Sequence, residues 1–427
     1  MMNDQKKPEI SLLETQPLPV PKVDRQRRWG QHHLVLVVSL LVSASLLLFL
    51  VVAAWGATPA SRKAQQAASA TPAKPHTQQQ VPTTQPTPTA QTALIASQVD
   101  SLLTNKTTHQ QFSGSVLIAQ NDQVLLSKGY GEADWDRQTP NTPHTRFYLG
   151  STTKQFTAMA LLILQQRGKL RVGDRLCSYL EDCPDAWRTL TIHELLTHTS
   201  GIPQLDDSQL SNASPEAWIA SYNGVPLAFA PGSQYNYCSV CYQILGYVVE
   251  RASGEPYSVF LQQSIFQPLQ MRSTGFDPNY LSLPDHSVGY ASWRVKAVTL
   301  GWSLAPQWSF LFGSGLIYTT LEDMYRWNQA LYTSTLATQQ TLAEAFTPYV
   351  TASQYAGSGY GYGWFIAKSP VPGHRLIWHD GRIDGFRTYI GRYIDDRITI
   401  IFLSNLATVD ELALAHMLEQ IVFSHIK

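Results

Sequence analysis

From Leu34 to Ala54 the chain runs for 21 residues (LVLVVSLLVSASLLLFLVVAA) without one charged side chain. At a helical rise of ~1.5 Å per residue this run spans roughly 31 Å, the thickness of a bilayer's hydrocarbon core. Lys22, Arg25, Arg27 and Arg28 precede it, whereas only Arg62 and Lys63 follow closely. Basic residues stay on the cytoplasmic side. Residues 1–33 are therefore expected to be a cytoplasmic tail and 34–56 a single-pass transmembrane anchor in the cell membrane. Everything beyond is expected to be extracytoplasmic. A cleaved signal peptide usually has a shorter apolar run and a shorter tail before it, which favours a retained anchor.

Residues 57–92 (TPAKPHTQQQVPTTQPTPTAQT within them) hold almost no large apolar side chains. Such a stretch cannot offset its own ordering entropy by burial and reads as a linker reaching ~35 Å. The folded body is expected over 93–427. With 44% apolar and 15% charged residues, the chain can bury a sizeable core. Its net charge is zero and it has no basic stripe, which excludes nucleic acid as the main partner. The partners expected are the membrane, through the N-terminal helix, and a small-molecule or peptide substrate. Oligomeric state is left open.

Outside the cytoplasm, disulfides are permitted. Four cysteines form two close pairs, Cys177 with Cys183 and Cys238 with Cys241. The short loop between Cys177 and Cys183 makes the easier bridge. Cys238 and Cys241 suit a second bridge, a redox pair or two small buried side chains, and spacing alone does not choose.

Within the body, Ser115–Ala119, a turn at Asn121-Asp122, and Val124–Leu126 predict a β-hairpin. Ser151 to Arg167 predicts a helix, with Phe156, Met159, Ala160, Ile163 and Leu164 on one stripe and Gly168 as its stop. A long middle section mixes helices with Gly/Pro-rich turns. Strands are expected again at 362–366, 376–379, 386–390 and 398–403, followed by a helix from about Asp410 to Phe423. Strands at both ends with helices between predict an α+β fold, an α/β sandwich. Its antiparallel sheet is built from the N- and C-terminal parts of the domain, flanked by helices, with a helical insertion.

The chemistry centres on Ser151-Thr-Thr-Lys154. Residues three apart on a helix share a face, so the Lys154 amine can reach the Ser151 hydroxyl. A serine needs a base to become a nucleophile, and a desolvated lysine can serve. The tetrapeptide alone is weak, since Ser424-His-Ile-Lys427 repeats it at the other end. Its surroundings are more specific. Thr145–Ala158 resembles the nucleophile helix of the class C β-lactamase and penicillin-binding serine hydrolase family. Thr191–Ile202 looks like that family's LLTHTSG segment, and Pro231–Ser239 with Tyr242 and Leu245-Gly246 like its PGxxYxYSN segment. Trp378-His-Asp-Gly381 looks like its KTG/HxG block. Gly313–Leu316 with Glu322-Asp-Met324 is similar to a recurrent helical stretch. The blocks are in the family's order and cover roughly 95–425.

The resemblance implies an acyl-enzyme mechanism without metal or cofactor. Ser151 would be acylated, Lys154 would take its proton, and Tyr237 would shuttle protons to the leaving group. His379, Gly381 and Arg382 would lie on the strand beside the substrate. The backbone N–H groups of Ser151 and Arg382 would form the oxyanion hole. The expected activity is that of an esterase or peptidase on small esters or amides, such as D-amino-acid peptides. A β-lactamase proper and a weakly catalytic penicillin-binding sensor are the alternatives. Ser239 departs from the family, replacing an asparagine whose amide donor and acceptor a hydroxyl does not reproduce. His193 and His198 are five apart, whereas a helical zinc pair sits at i and i+4, so they read as the end of a structural helix.

Overall fold

The computed structural model describes residues 90–205, 214–276, 279–297 and 313–426. The predicted cytoplasmic tail, the anchor over 34–56 and nearly all of the linker lie outside the described residues. Among the described residues no helix is long and apolar enough to cross a membrane.

The fold is α+β, organised around an eight-stranded antiparallel sheet. It begins with helix α1 (Ala90–Thr108), whose first residues fall in the stretch composition assigns to the linker. Three buried side chains, Ile95, Val99 and Leu103, recur at four-residue spacing and give it one apolar face. A hairpin follows, β1 (Gly114–Gln120) and β2 (Gln123–Tyr130). Its turn residues Asn121 and Asp122 both have positive φ, 47° and 66°, as the tight hairpin turns favoured by strand twist require.

The helical middle contains α2 (Lys154–Gln166), α3 (Ile192–Leu196), α4 (Ser239–Ser253), α5 (Leu321–Ala330) and α6 (Gln339–Ala345). Strands β3 (Val350–Thr351), β4 (Gly359–Tyr360), β5 (Phe365–Lys368), β6 (Arg375–Ile383), β7 (Phe386–Tyr393) and β8 (Ile398–Ser404) follow, and α7 (Glu411–Ser424) comes last. The strand order is β2-β1-β8-β7-β6-β5-β4-β3. The first strand pairs with the last, from Gly114 opposite Ser404 to Gln120 opposite Ile398. The two ends of the domain thus complete one sheet, as predicted.

Alternate residues on the strands feed two cores. Val116, Ile118, Ile400 and Phe402 pack with α1 and α7 on one face. Leu117, Ala119, Ile401 and Leu403 pack with the helical middle on the other. Both faces are covered, so β1 and β8 read as nearly unbroken apolar runs.

Two local expectations are corrected. Ser151 does not open the α-helix: Gly150–Thr153 form a 3-10 turn, and α2 starts at Lys154. The strand expected at 362–366 is displaced to Phe365–Lys368 because Gly363, at φ 77°, turns the chain just before it.

Candidate active site

The 3-10 turn decides how Ser151 and Lys154 meet. Residues three apart eclipse one another in such a turn, which aligns them more directly than an α-helix would. Lys154 Nζ donates to Ser151 Oγ at 3.1 Å and to the Ser314 carbonyl at 2.9 Å. Lys154 is fully buried at its helix start, whereas Ser151 remains partly exposed. Burial pushes the amine down to about 7, opposed by the nearby Asp380 carboxylate. Near neutral pH this lysine therefore exists substantially as a free amine able to accept a proton.

Backbone contact joins the turn to β6. Gly150 has φ 54°, and a side chain on it would lie 2.6 Å from the Arg382 nitrogen. A methyl group on Gly381 would lie 1.9 Å from the Leu149 carbonyl oxygen and 2.3 Å from Thr388 Oγ1. Thr388 donates to that carbonyl at 2.7 Å and also bonds the Thr152 hydroxyl at 3.1 Å. The chain on either side of Ser151 is thus clamped to β6 and β7. Gly381→Ala is expected to push the turn off the strand. Turnover should fall by about 100-fold, the scale of a ~1 Å misplacement of reacting groups; steady-state kinetics on the purified variant would check this, and unchanged turnover would contradict the clamp.

Tyr237 lies just before α4. Lys154 Nζ sits 4.9 Å from its ring centroid and 5.6 Å from that of Tyr242. The Tyr237 hydroxyl is buried without a hydrogen-bond partner of normal geometry, although Ser151 is near enough to favour its ionised form. Burial nevertheless holds this phenol well above its ordinary value, so it keeps its proton in the resting site.

His198 supports Tyr237 from behind. It is fully buried, its ring centroid 4.4 Å from that of Tyr237, and its Nδ1 accepts the Cys238 N–H at 3.0 Å. Burial first, then the repulsion it would meet from Lys154 and His379 in their protonated forms, keep it well below the ordinary histidine range and neutral. Read from sequence as a helix end, it is a residue of the candidate site. His193 lies elsewhere, 2.7 Å from the Tyr362 hydroxyl. Ser314, Tyr242 and Asp380 also belong to the site; all three fall within the family-like blocks of the sequence, which by themselves assign them no role.

His379 and Arg382 sit on β6 beside the turn, with side chains placed differently from simple substrate contacts. His379 is 1% exposed, and burial takes it down to about 4, so it is neutral. Its Nδ1 donates to the Asp380 carbonyl at 2.5 Å, which leaves Nε2 to accept from the Tyr360 hydroxyl at 3.2 Å. The ring forms the wall of the site. Arg382 directs its guanidinium to Glu411 at 3.0 Å and Asp380 at 3.6 Å, so its backbone, not its side chain, faces Gly150.

Ser239 is the first residue of α4 and is half-buried. Both cysteine pairs are bonded, Cys177 to Cys183 and Cys238 to Cys241. The second bridge spans the start of α4, where Cys238 Sγ accepts the Cys241 N–H at 3.1 Å. It therefore braces the backbone between Tyr237 and Ser239.

The family model described as Beta-lactamase matches residues 93–421. The chain is 34% identical over 266 residues to PbpX of Bacillus subtilis (strain 168), covering 62% of this chain and 65% of that protein. It is 30% identical over 313 residues to penicillin-binding protein 4* of the same strain, covering 69% and 68%. Protein flp of Staphylococcus aureus (strain NCTC 8325 / PS 47) is 27% identical over 321 residues, 72% of this chain and 63% of that one. The matched region thus spans about two thirds of these relatives, slightly less for PbpX and flp. Among solved structures, a penicillin-binding protein from Bacillus halodurans aligns with a TM-score of 0.64 at 25% identity, over 75% of this chain and 98% of that one. The octameric penicillin-binding protein homologue from Pyrococcus abyssi aligns with a TM-score of 0.68 at 24% identity, over 77% of each chain, and is a likeness of fold.

Proposed function

Because the chain belongs to the Beta-lactamase family, we propose that it is a membrane-anchored, extracytoplasmic serine hydrolase that works through an acyl-enzyme. The observation that carries this is the 3.1 Å contact between Ser151 Oγ and a fully buried Lys154 whose amine is brought down to about 7. In this mechanism Ser151 Oγ attacks an ester or amide carbonyl as its proton passes to Lys154 Nζ. The carbonyl oxygen becomes an oxyanion held by the Ser151 and Arg382 backbone N–H groups. Tyr237 passes a proton to the leaving group as the carbon–leaving-group bond breaks. Water then attacks the acyl-enzyme, giving its proton back through the same groups, and Ser151 is restored.

Small esters and amides, D-amino-acid peptides among them, are the proposed substrates. A neutral His379 offers no permanent cation to a substrate carboxylate, and Ser239 offers fewer contacts to an amide than an asparagine would. Both features favour an esterase or peptidase over a β-lactamase. The anchoring is supported by the uncharged run from Leu34 to Ala54 and the basic residues before it.

Intact-mass spectrometry of the full-length protein, treated with a fluorophosphonate and separately with a penicillin, tests the reading. A fluorophosphonate adduct on Ser151 is expected. A penicillin adduct that clears would assign a β-lactamase, and one that persists would assign a penicillin-binding sensor. Absence of the fluorophosphonate adduct would overturn the mechanism.

A further inference from the structure

Among the described residues, Arg392 is a buried cation without a counter-ion. It lies on β7 at 1% exposure. Its Nε donates to Asn328 Oδ1 at 2.8 Å, and Asn328 Nδ2 donates to Thr399 Oγ1 at 2.8 Å, which fixes the asparagine's acceptor toward the arginine. The guanidinium otherwise meets ring faces, with centroids of Tyr332 at 4.5 Å, Phe346 at 5.1 Å and Trp364 at 5.7 Å, and the Tyr332 hydroxyl is near enough to favour its charged form. No carboxylate acts on it among the described residues, and its Nη1 is buried without a hydrogen-bond partner of normal geometry. Ring faces offset only part of the cost of burying an unpaired charge. An orphaned buried donor is itself unfavourable and calls for a partner.

That partner has room. Arg392, Tyr332 and Phe346 line a cavity of about 450 Å³ between the sheet, the segment just after helix α5, and helix α6. Its other walls are mostly apolar and include Leu342, Ile366 and Ile377. We propose that this cavity is a binding site for a small carboxylate with an apolar body, the carboxylate received by the guanidinium of Arg392 and the body by the apolar walls. A planar fork of N–H donors matches a carboxylate, and apolar walls favour an organic acid over an inorganic anion. Burial takes Arg392 down to about 10, which leaves it a cation at neutral pH. The site is separate from the nucleophile. Ile377 faces Arg392 across the β6–β7 ladder, and Gly381 lies four residues further along β6, ~13 Å away at strand spacing.

Binding of 4-fluorophenylacetate to the full-length protein, followed by 19F NMR, tests the proposal, with 4-fluorophenylacetamide as the uncharged comparison. The acid is expected to bind saturably and about tenfold or more tightly than the amide. Arg392→Met should erase that difference. Leu342→Trp, which fills the cavity and leaves Arg392 in place, should abolish acid binding while Ser151 still reacts with a fluorophosphonate. Binding should persist in wild-type protein whose Ser151 has already been capped. The proposal is overturned by no saturable binding, by equal binding of acid and amide, by acid binding that survives Leu342→Trp, or by binding lost on capping Ser151.

Discussion

Ser151→Ala is expected to remove turnover, with kcat falling on the order of 10⁶-fold, the scale of removing a nucleophile that acts in concert with its base. The substitution deletes only the hydroxyl, and that oxygen sits at a partly exposed position. Among the described residues its hydroxyl accepts one hydrogen bond of normal geometry, from Lys154, and otherwise lies near the Tyr237 hydroxyl. Folding should therefore be retained, with an unchanged far-UV circular dichroism spectrum and a similar thermal midpoint. Covalent labelling by a fluorophosphonate should vanish with the activity. A variant that kept even a hundredth of its turnover would point to a different nucleophile and end the acyl-enzyme reading.

Lys154→Met should have the next largest effect, and it separates catalysis from stability. The methionine keeps the apolar stem and loses the amine, so kcat/KM should fall by about 10²–10⁴-fold, the range for a lost general base. In the wild type, the pH profile should rise through about 7 as the amine loses its proton, because burial brings Lys154 to about that value. The variant's residual activity should lack that rise.

Stability should move the other way. Unfolded, the lysine titrates at its ordinary 10.5; folded, at about 7. Between those values the unfolded chain holds a proton the folded one has released, so wild-type stability rises with pH across this window. The contribution is present above 10.5 and lost as pH falls through about 7. The methionine variant, with nothing to titrate there, should lack that rise. Thermal midpoints of both proteins measured from pH 6 to 10 would show parallel curves if Lys154 were not buried in this way.

Much of this protein is legible without coordinates, because its signals are local. The apolar runs on either side of the Asn121-Asp122 turn, the stripe from Phe156 to Leu164 and the apolar runs near 386–403 each report burial within one element. The order of the motif blocks, through the family they resemble, implies that Ser151, Lys154 and Tyr237 share one site. Helix α1 was missed because only Ile95, Val99 and Leu103 mark its face, amid polar residues beside a Pro/Thr/Gln-rich stretch. The strand near Tyr362 was misplaced because a glycine turn interrupts an aromatic run that otherwise resembles a strand.

What the sequence by itself determined was most of the elements, the joining of the first and last strands in one sheet, and the residue types able to do acyl transfer. Only the tertiary structure decided that Ser151 stands on a 3-10 turn, that Cys238 and Cys241 are bonded, and that His198 backs Tyr237. It also decided the protonation states of Lys154 and His379 and left Arg392 without a counter-ion among the described residues. The reason is physical. Periodicity and motifs record what each residue needs from its neighbours along the chain, whereas desolvation and charge pairing depend on groups that folding brings together from distant positions.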